Sequence, residues 1–544
     1  MQGSPLVANP DALAFLDSSR AEPGETLARG IFADWLGENG ALLLASLIKQ
    51  SLRAPGQIHH ATTRQFASAP GIRHAVDGWF LGGNRELHAL GQNQPAPFLP
   101  WVSGLHLSGR GLGPEAQSAI LQALPSLWSP SWRILSLSDF SVAPKLFVSV
   151  LERGWARQIT HMRLGGPLAG SLALEAVCQH APALQTLELQ SAWWRHDPPP
   201  RYGPRPHGIN QFQPPLELFQ TGFHFPEKFK RLSLENYSLA GKSLAGLLDA
   251  ASLRDLRHLH LNQCHLPTEA LVVINQSSIW RSLETLNLIG CRLPKQHLSK
   301  NEASLSPIPC NRLRGLTLRA CSLTGESLVR LADSGWLAGP VRIDLSQNKL
   351  EQLNDGLTGQ TLRSGEVESL NLAHCGINAK QLEHWLNLGP WERLGQWNLS
   401  ANPLGDSGAK TLAPGTLTPS LVSLDLTATG LTSQGLQYLA AGALLPRAQK
   451  IHLKGNGLGE GQAWPQSLRD LLRHPAIEQI HQMRLDGTDD WIETEVSHPE
   501  CRLNAIARKD LLHLVATRRQ ARRRQEAREE LQGRSRQSTG PHLS

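Results

Sequence analysis

The chain returns fourteen times to one pattern: two apolar residues one apart, most often Leu, followed in the clearest copies by Cys, Asn or Thr three residues on and then another apolar residue. Leu259-x-Leu261-x-x-Cys264-x-Leu266, Leu286-x-Leu288-x-x-Cys291-x-Leu293 and Leu424-x-Leu426-x-x-Thr429-x-Leu431 show it in full. The second apolar position falls at 107, 137, 164, 189, 234, 261, 288, 318, 345, 372, 399, 426, 453 and 485, and most steps are 27 residues. A unit of this size is too small to bury its own apolar face, so it must stack on its neighbours into a solenoid.

The unit from Leu256 to Trp280 illustrates the expected build. Leu256, Leu259 and Leu261 form a short strand with alternate side chains inward. Cys264 turns the chain, Leu266 closes the inner layer, and Thr268 caps a helix. Similar helix starts follow at Thr324 and Thr432. Each repeat is therefore expected to run strand, turn, helix, return. Strands stack about 4.8 Å apart and helices about 10 Å apart. The mismatch predicts an arc, with a parallel sheet on its concave side and helices outside. The predicted fold class is α/β.

This pattern resembles the leucine-rich-repeat superfamily, and its period is similar to the ribonuclease-inhibitor-like class. The resemblance covers residues 101–490. Near 162–189 the repeats are degenerate, with Met162 for Leu and Gly165-Gly166-Pro167 after Leu164. In such repeats the turn side chain satisfies backbone groups. Cys264, Cys291, Cys321 and Cys375 share that position with Asn348, Asn402, Asn456 and Thr429, so the thiols read as structural rather than metal-binding or redox-active. Trp101, Trp132, Trp155, Trp280, Trp336 and Trp391 precede strands and read as packing wedges rather than ligand stackers.

Ahead of the repeats, residues 1–58 show apolar spacing suited to short helices broken at Asn39-Gly40. Arg29, Phe32-Ala33-Asp34-Trp35-Leu36, Glu38-Asn39-Gly40 and Ile48-Lys49-Gln50 resemble the small bacterial repeat-companion domain found in many planctomycete repeat proteins. The acidic residue usual after Trp-Leu is Gly37 here, and Ala41-Leu42-Leu43-Leu44 replaces an Asp-Pro-Arg stretch. The resemblance implies an N-terminal cap or docking module, with Phe32 and Trp35 as core. Residues 59–100 read as a connecting or capping segment.

Between 190 and 228 one step stretches to 45 residues. This insert carries Trp193, Trp194, Arg201 and Tyr202 among many prolines. Aromatic and Arg side chains are usual interface anchors, and the alternative is a loop folding its aromatics onto the degenerate repeat. At the other end, 491–516 is expected to cap the last repeat and 517–544 forms a basic tail. Residues 502–544 hold eleven Lys or Arg and four Asp or Glu, which leaves forty-two of each sign before them. Arg518, Arg519, Arg522, Arg523 and Arg524 are candidates for phosphate contact on nucleic acid. The alternative is a solvated helix with pairs such as Arg522–Glu526.

No phosphate loop, His-Glu-x-x-His zinc motif or Gly-x-Ser-x-Gly nucleophile elbow occurs. His258, His260 and His265 cluster locally; His258 and His260, two apart on a strand, could chelate a metal, but no third ligand is apparent. No catalytic, cofactor or metal residues are therefore expected, and the chain does not read as an enzyme. No run of eighteen apolar residues occurs, so no membrane span is expected. Met1-Gln2-Gly3-Ser4-Pro5 does not begin a secretory leader. The seven cysteines lack paired spacings, so a cytoplasmic location is expected.

The middle column of the concave face is polar and mixed in sign. It includes His260, Asn287, Thr317, Asp344, Asn371, Asn398 and Asp425. Such a surface without a dominant field suits a folded protein or peptide partner. The expected function is a non-catalytic interaction scaffold, with nucleic-acid association through the tail as the alternative.

Overall fold

A computed structural model of the chain describes residues 102–191, 224–239, 243–267, 269–291, 312–333, 335–351, 366–388, 391–415, 420–444 and 448–456, with shorter pieces within 11–82 and at 293, 482–484 and 492–493. It divides into two compact units, Met1–Gly315 and Leu316–Ser544.

In the first unit, β1 (His59–His60), β2 (His74–Val76) and β3 (Trp79–Gly82) pair antiparallel in succession, and β3 joins β4 (Val102–Ser108) in parallel. From there β5 (Ile134–Ser138), β6 (His161–Gly165), β7 (Thr186–Gln190), β8 (Arg231–Glu235), β9 (His258–Asn262) and β10 (Thr285–Ile289) follow, each parallel to the last. The three short strands before β4 were not foreseen. Their antiparallel pairing covers backbone groups that an open parallel edge would present. The degenerate repeat keeps its register: Met162 stands opposite Leu135 and is buried, and Leu164 stands opposite Leu137. The long insert does not disturb the ladder either, since Leu187 and Leu189 lie opposite Leu232 and Leu234. At its end Phe225 is buried and stacks on Phe229, with ring centroids 4.6 Å apart.

Helices return the chain between strands: α2 (Pro114–Leu127), α3 (Pro144–Leu151), α4 (Ser171–His180), α5 (Ser243–Leu248) and α6 (Ala270–Gln276). Before them, α1 (Thr26–Glu38) ends one residue ahead of Asn39-Gly40. Phe32, Ala33 and Leu36 are buried, whereas Trp35 is half-buried and stacks against Phe32 at 6.1 Å. Thr268, the expected cap of α6, lies outside the described residues.

The second unit repeats the plan more regularly. β11 (Gly315–Arg319) spans the boundary. β12 (Arg342–Asp344), β13 (Ser369–Asn371), β14 (Gln396–Asn398), β15 (Ser423–Asp425), β16 (Lys450–His452) and β17 (Gln482–Arg484) are parallel in order, and β18 (Ile492–Glu493) closes antiparallel on β17. The helices are α7 (Gly325–Asp333), α8 (Ala379–Asn387), α9 (Gly405–Leu412) and α10 (Ser433–Ala441). The expected caps hold at two of them. Ser327 N donates to Thr324 Oγ1 at 3.3 Å, and Gln434 N donates to Thr432 Oγ1 at 3.2 Å. Asp406 ties one repeat to the next, accepting from Thr432 N, Thr432 Oγ1 and Gly435 N at 2.8, 2.6 and 2.9 Å. A Cβ on Gly435 would lie 2.4 Å from that same carboxylate, which explains the glycine.

Trp132, Trp280, Trp336 and Trp391 are buried and Trp155 is half-buried, in keeping with packing wedges; Trp101 lies outside the described residues. Trp391 lies between Trp385 and Trp397, at 6.5 and 6.3 Å, and donates its indole N–H to Trp385 O.

The turn after each strand carries most of the polar burden of the core. Asn402 Oδ1 accepts from Cys375 N and Ile377 N, both at 3.0 Å, while Nδ2 donates to Leu372 O at 2.8 Å and Leu399 O at 2.9 Å. Asn348 does the same for Cys321 N, Leu323 N, Leu318 O and Leu345 O, and Asn456 for Thr429 N, Leu431 N, Leu426 O and Leu453 O. Cys375 Sγ donates to Leu345 O at 3.2 Å, and Cys264 and Cys291 reach Leu234 O and Leu261 O. Burial pushes the thiols of Cys264 and Cys375 up, the latter to about 11, so neither is a thiolate at neutral pH.

One of these amides closes four buried backbone groups. Asn402→Ala strands two N–H and two C=O groups, so we expect a loss of about 3–4 kcal/mol in urea unfolding. Asn402→Thr should lose less, because a hydroxyl can still donate to Leu399 O as Thr429 does to Leu426 O at 2.8 Å.

Candidate recognition face

Strand side chains alternate between the core and the sheet face turned away from it. In the first unit the middle column of that face is set rung by rung by the pairing His106↔Ser136↔Arg163↔Glu188↔Ser233↔His260↔Asn287. In the second it runs Asp344↔Asn371↔Asn398↔Asp425↔His452↔Arg484. Thr317 holds the same place in β11 and is half-buried, as are His260, Asn287, Asp344, Asn371, Asn398 and Asp425. All seven sequence-predicted face residues thus lie on strands at the equivalent register position, in the unit to which each belongs.

Neighbouring rungs are bonded to one another. His106 Nδ1 lies 2.9 Å from Ser136 Oγ, Arg163 forms an ion pair with Glu188 at 3.5 Å, and Asp425 meets His452 at 3.6 Å. Asn287 Nδ2 lies 3.2 Å from His260 Nε2, and in the next column His258 Nδ1 lies 2.9 Å from Thr285 Oγ1. Burial of the His260 ring, with repulsion from Arg231 and then His258, holds its pKa down at about 3. The imidazole is therefore neutral near pH 7, and the tautomer that accepts from Asn287 carries its proton on Nδ1. Nearby, burial raises the Glu235 carboxyl above its usual range, against the opposing pull of Arg163 and a hydrogen bond from Gln190.

One role escaped sequence reading. In the second unit the column also serves the turns: Asp344, Asn371, Asn398 and Asp425 each accept through Oδ1 from the backbone N–H two residues on, at 2.9–3.1 Å. Asp and Asn favour this turn geometry, and that preference was the available signal. Among the described residues His260, Asn287 and Thr317 make no such bond to their own turn and are the cleaner probes of binding. Gln117 was also missed. It is buried and bridges Gly109 O, Leu112 O and Ser141 N, doing for the first repeats what asparagine does later.

No group of three or more His, Cys, Asp or Glu suited to a metal ion occurs among the described residues, and no described helix is long and apolar enough to cross a membrane. Trp193, Trp194, Arg201 and Tyr202 of the insert, and Arg518, Arg519, Arg522, Arg523 and Arg524 of the tail, lie outside the described residues.

No family model matches the chain. Over 199 residues it is 31% identical to the ribonuclease inhibitor of Mus musculus, covering 36% of this chain and 37% of that protein. Over 212 residues it is 27% identical to the ribonuclease inhibitor of Sus scrofa, covering 38% of this chain and 40% of that protein. The chain thus spans less than half the length of these curated relatives. The crystal structure of the Rad7 and Elc1 complex in yeast gives a TM-score of 0.35 at 14% identity, over 72% of this chain and 88% of that chain, a likeness that carries no argument. The relatives support a leucine-rich-repeat class, and with the strand–turn–helix architecture the fold is an α/β leucine-rich-repeat solenoid.

The depressed pKa of His260 has a thermodynamic sign. An unfolded His titrates near 6.5, so as pH falls the unfolded chain takes up this proton first. The contribution of neutral His260 is present above about pH 6.5 and is lost as pH falls toward 3. Glu235, raised in the fold, works in the opposite direction at acid pH. Comparing urea midpoints of the native chain and His260→Gln between about pH 7 and pH 5 isolates the histidine. We expect the variant to show the shallower decline; identical slopes would assign the pH dependence elsewhere.

Proposed function

We propose that this chain is a non-catalytic recognition scaffold that takes a partner protein or peptide on the polar face of its sheet. The observation that carries this reading is that each unit, taken by itself, holds an in-register column of half-buried polar side chains. Donors and acceptors of mixed sign, held at fixed spacing by a close-packed core, select a partner by complementarity rather than by field strength. The comparisons lend support in kind: the two relatives are named as inhibitors of ribonuclease, itself a protein.

Two finer readings go with this proposal. The segment around α1 acts as a companion cap for the repeats, supported by the burial of Phe32, Ala33 and Leu36 along its matched motif. The scaffold works in the reducing cytoplasm, supported by the buried Cys264, Cys291 and Cys375, none of which is in a disulfide.

The test combines capture and mutation. A partner recovered from native lysate after nuclease treatment is purified and titrated against the chain and against His260→Glu, Asn287→Arg and Thr317→Arg. Each replacement should weaken binding at least about tenfold, the range expected for a central interface residue, with the melting temperature recorded for each variant. Unchanged affinity in all three would sink the reading.

A further inference from the structure

The balance of charge over residues 1–501 is an average, and it conceals a basic rim in the first unit. Leading into β8, β9, β10 and β11, and taking in the first residue of each, the chain passes through segments 227–231, 254–258, 281–285 and 312–315, which hold eight Lys or Arg and three Asp or Glu. The backbone stacks these segments on successive rungs: Arg257 N donates to Lys230 O, Glu284 N to Arg257 O, and Arg314 N to Glu284 O, at 2.7–2.9 Å. Lys230, Arg257, Glu284 and Arg314 therefore form one column. The earlier rungs carry Arg133, Thr160 and Gln185 at the same place, so the concentration of cations is local.

Within this rim Arg257 is paired with Glu284 at 3.1 Å. Among the described residues, Lys228, Lys230, Arg254, Arg281, Arg312 and Arg314 form no ion pair, and all but the half-buried Lys230 are exposed. Between them lie Ala251, Ser252, Ser278 and Ser282. None of the exposed large apolar side chains found in the described residues falls here. The polar sheet face mixes and pairs its signs, whereas this rim is dominated by one sign, which suits a polyanion better than a partner chosen by complementarity. Phosphate contact needs only charge and donors. Four rungs about 4.8 Å apart give a track of about 15 Å, long enough for several backbone phosphates.

We propose that this rim is a contact surface for the phosphate backbone of nucleic acid, without reading its sequence. The cations tested below, Lys228, Arg254, Arg281 and Arg312, precede the strands and are not part of the polar middle column, so neither proposal depends on the other. The rim shares no residue with the Arg-rich tail.

The experiment uses the full chain and labelled mixed-sequence oligonucleotides, single-stranded and duplex, in fluorescence anisotropy across a salt series. A combined Lys228→Glu, Arg254→Glu, Arg281→Glu, Arg312→Glu variant is compared with a chain lacking residues 516–544. The rim variant should lose at least tenfold in affinity at about 0.1 M salt. Its plot of log affinity against log salt should flatten by about 3, at 0.7–0.9 for each phosphate contact removed. Removing the tail should leave that salt-dependent part in place. A combined Gln version, which removes charge without reversing it, should show the same flattening, and its melting temperature separates lost contact from lost fold. The proposal is overturned by equal affinity and slope in parent and rim variants, which would move the contact to the tail. It is also overturned if the parent binds neither oligonucleotide at low salt, or if polyglutamate of equal charge displaces nucleic acid as efficiently, which would make the partner an acidic protein.

Discussion

Where each strand turns away from the sheet, several backbone N–H and C=O groups are left inside the protein, and everything else in the repeats depends on how they are satisfied. A carboxamide is suited to the task because it accepts through one atom and donates through another. Asn348, Asn402 and Asn456 each bond their own turn and the turn one rung earlier. Cys375 and Thr429, with only a donor hydrogen to place on a carbonyl, occupy the rungs between. The alternation lets one large polar side chain close two turns. It also fixes the rise from rung to rung, so the polar column on the opposite side of the strand inherits its alignment from the turn.

The same turn forces a second regularity. The residue just before the Asn, Cys or Thr adopts positive φ at Gln263, Gly290, Ala320, Gln347, His374, Ala401, Ala428 and Gly455. For a residue with a Cβ this conformation costs about 1–2 kcal/mol, and it recurs through both units. The backbone bonds closed at each turn offset it. Glycine is used at Gly290 and Gly455, but elsewhere the chain tolerates Ala, Gln or His. The tightness of the turn, rather than the residue type, therefore sets the conformation. Among the first repeats the solution changes: Phe140 and Tyr237 take the turn position, Tyr237 donating its hydroxyl to Ala169 O at 2.7 Å, and Gln117 bridges backbone groups from its helix.

Charge illustrates why an average misleads in a repeat protein. Stacking places residues about 27 apart on neighbouring rungs, so local charge is decided by what coincides at one repeat position. The polar column mixes signs and pairs them, as at Arg163–Glu188. The rim before β8 to β11 brings unpaired cations together. Burial then acts on groups that appear ordinary in one dimension: His260 is held neutral on a polar face, while Glu235 close by is pushed toward its protonated form.

Periodicity was enough to assign the layers of this fold, because a strand presents alternate side chains to opposite sides and a 27-residue step repeats that choice. It correctly placed Leu259, Leu261, Leu286 and Leu288 in the core and His260 and Asn287 on the polar face. It also identified the turn thiols as structural, since their positions are shared with asparagine. The antiparallel strands before β4, the substitution of Gln117 for an asparagine and the doubled role of Asp344, Asn371, Asn398 and Asp425 emerged only from the folded chain. Each depends on a hydrogen-bond partner distant in sequence or on a local backbone turn, and hydrophobic spacing encodes neither. A repeating pattern reports which side chains must leave water; the pairing of polar groups is settled when stacking brings the rungs within bonding distance.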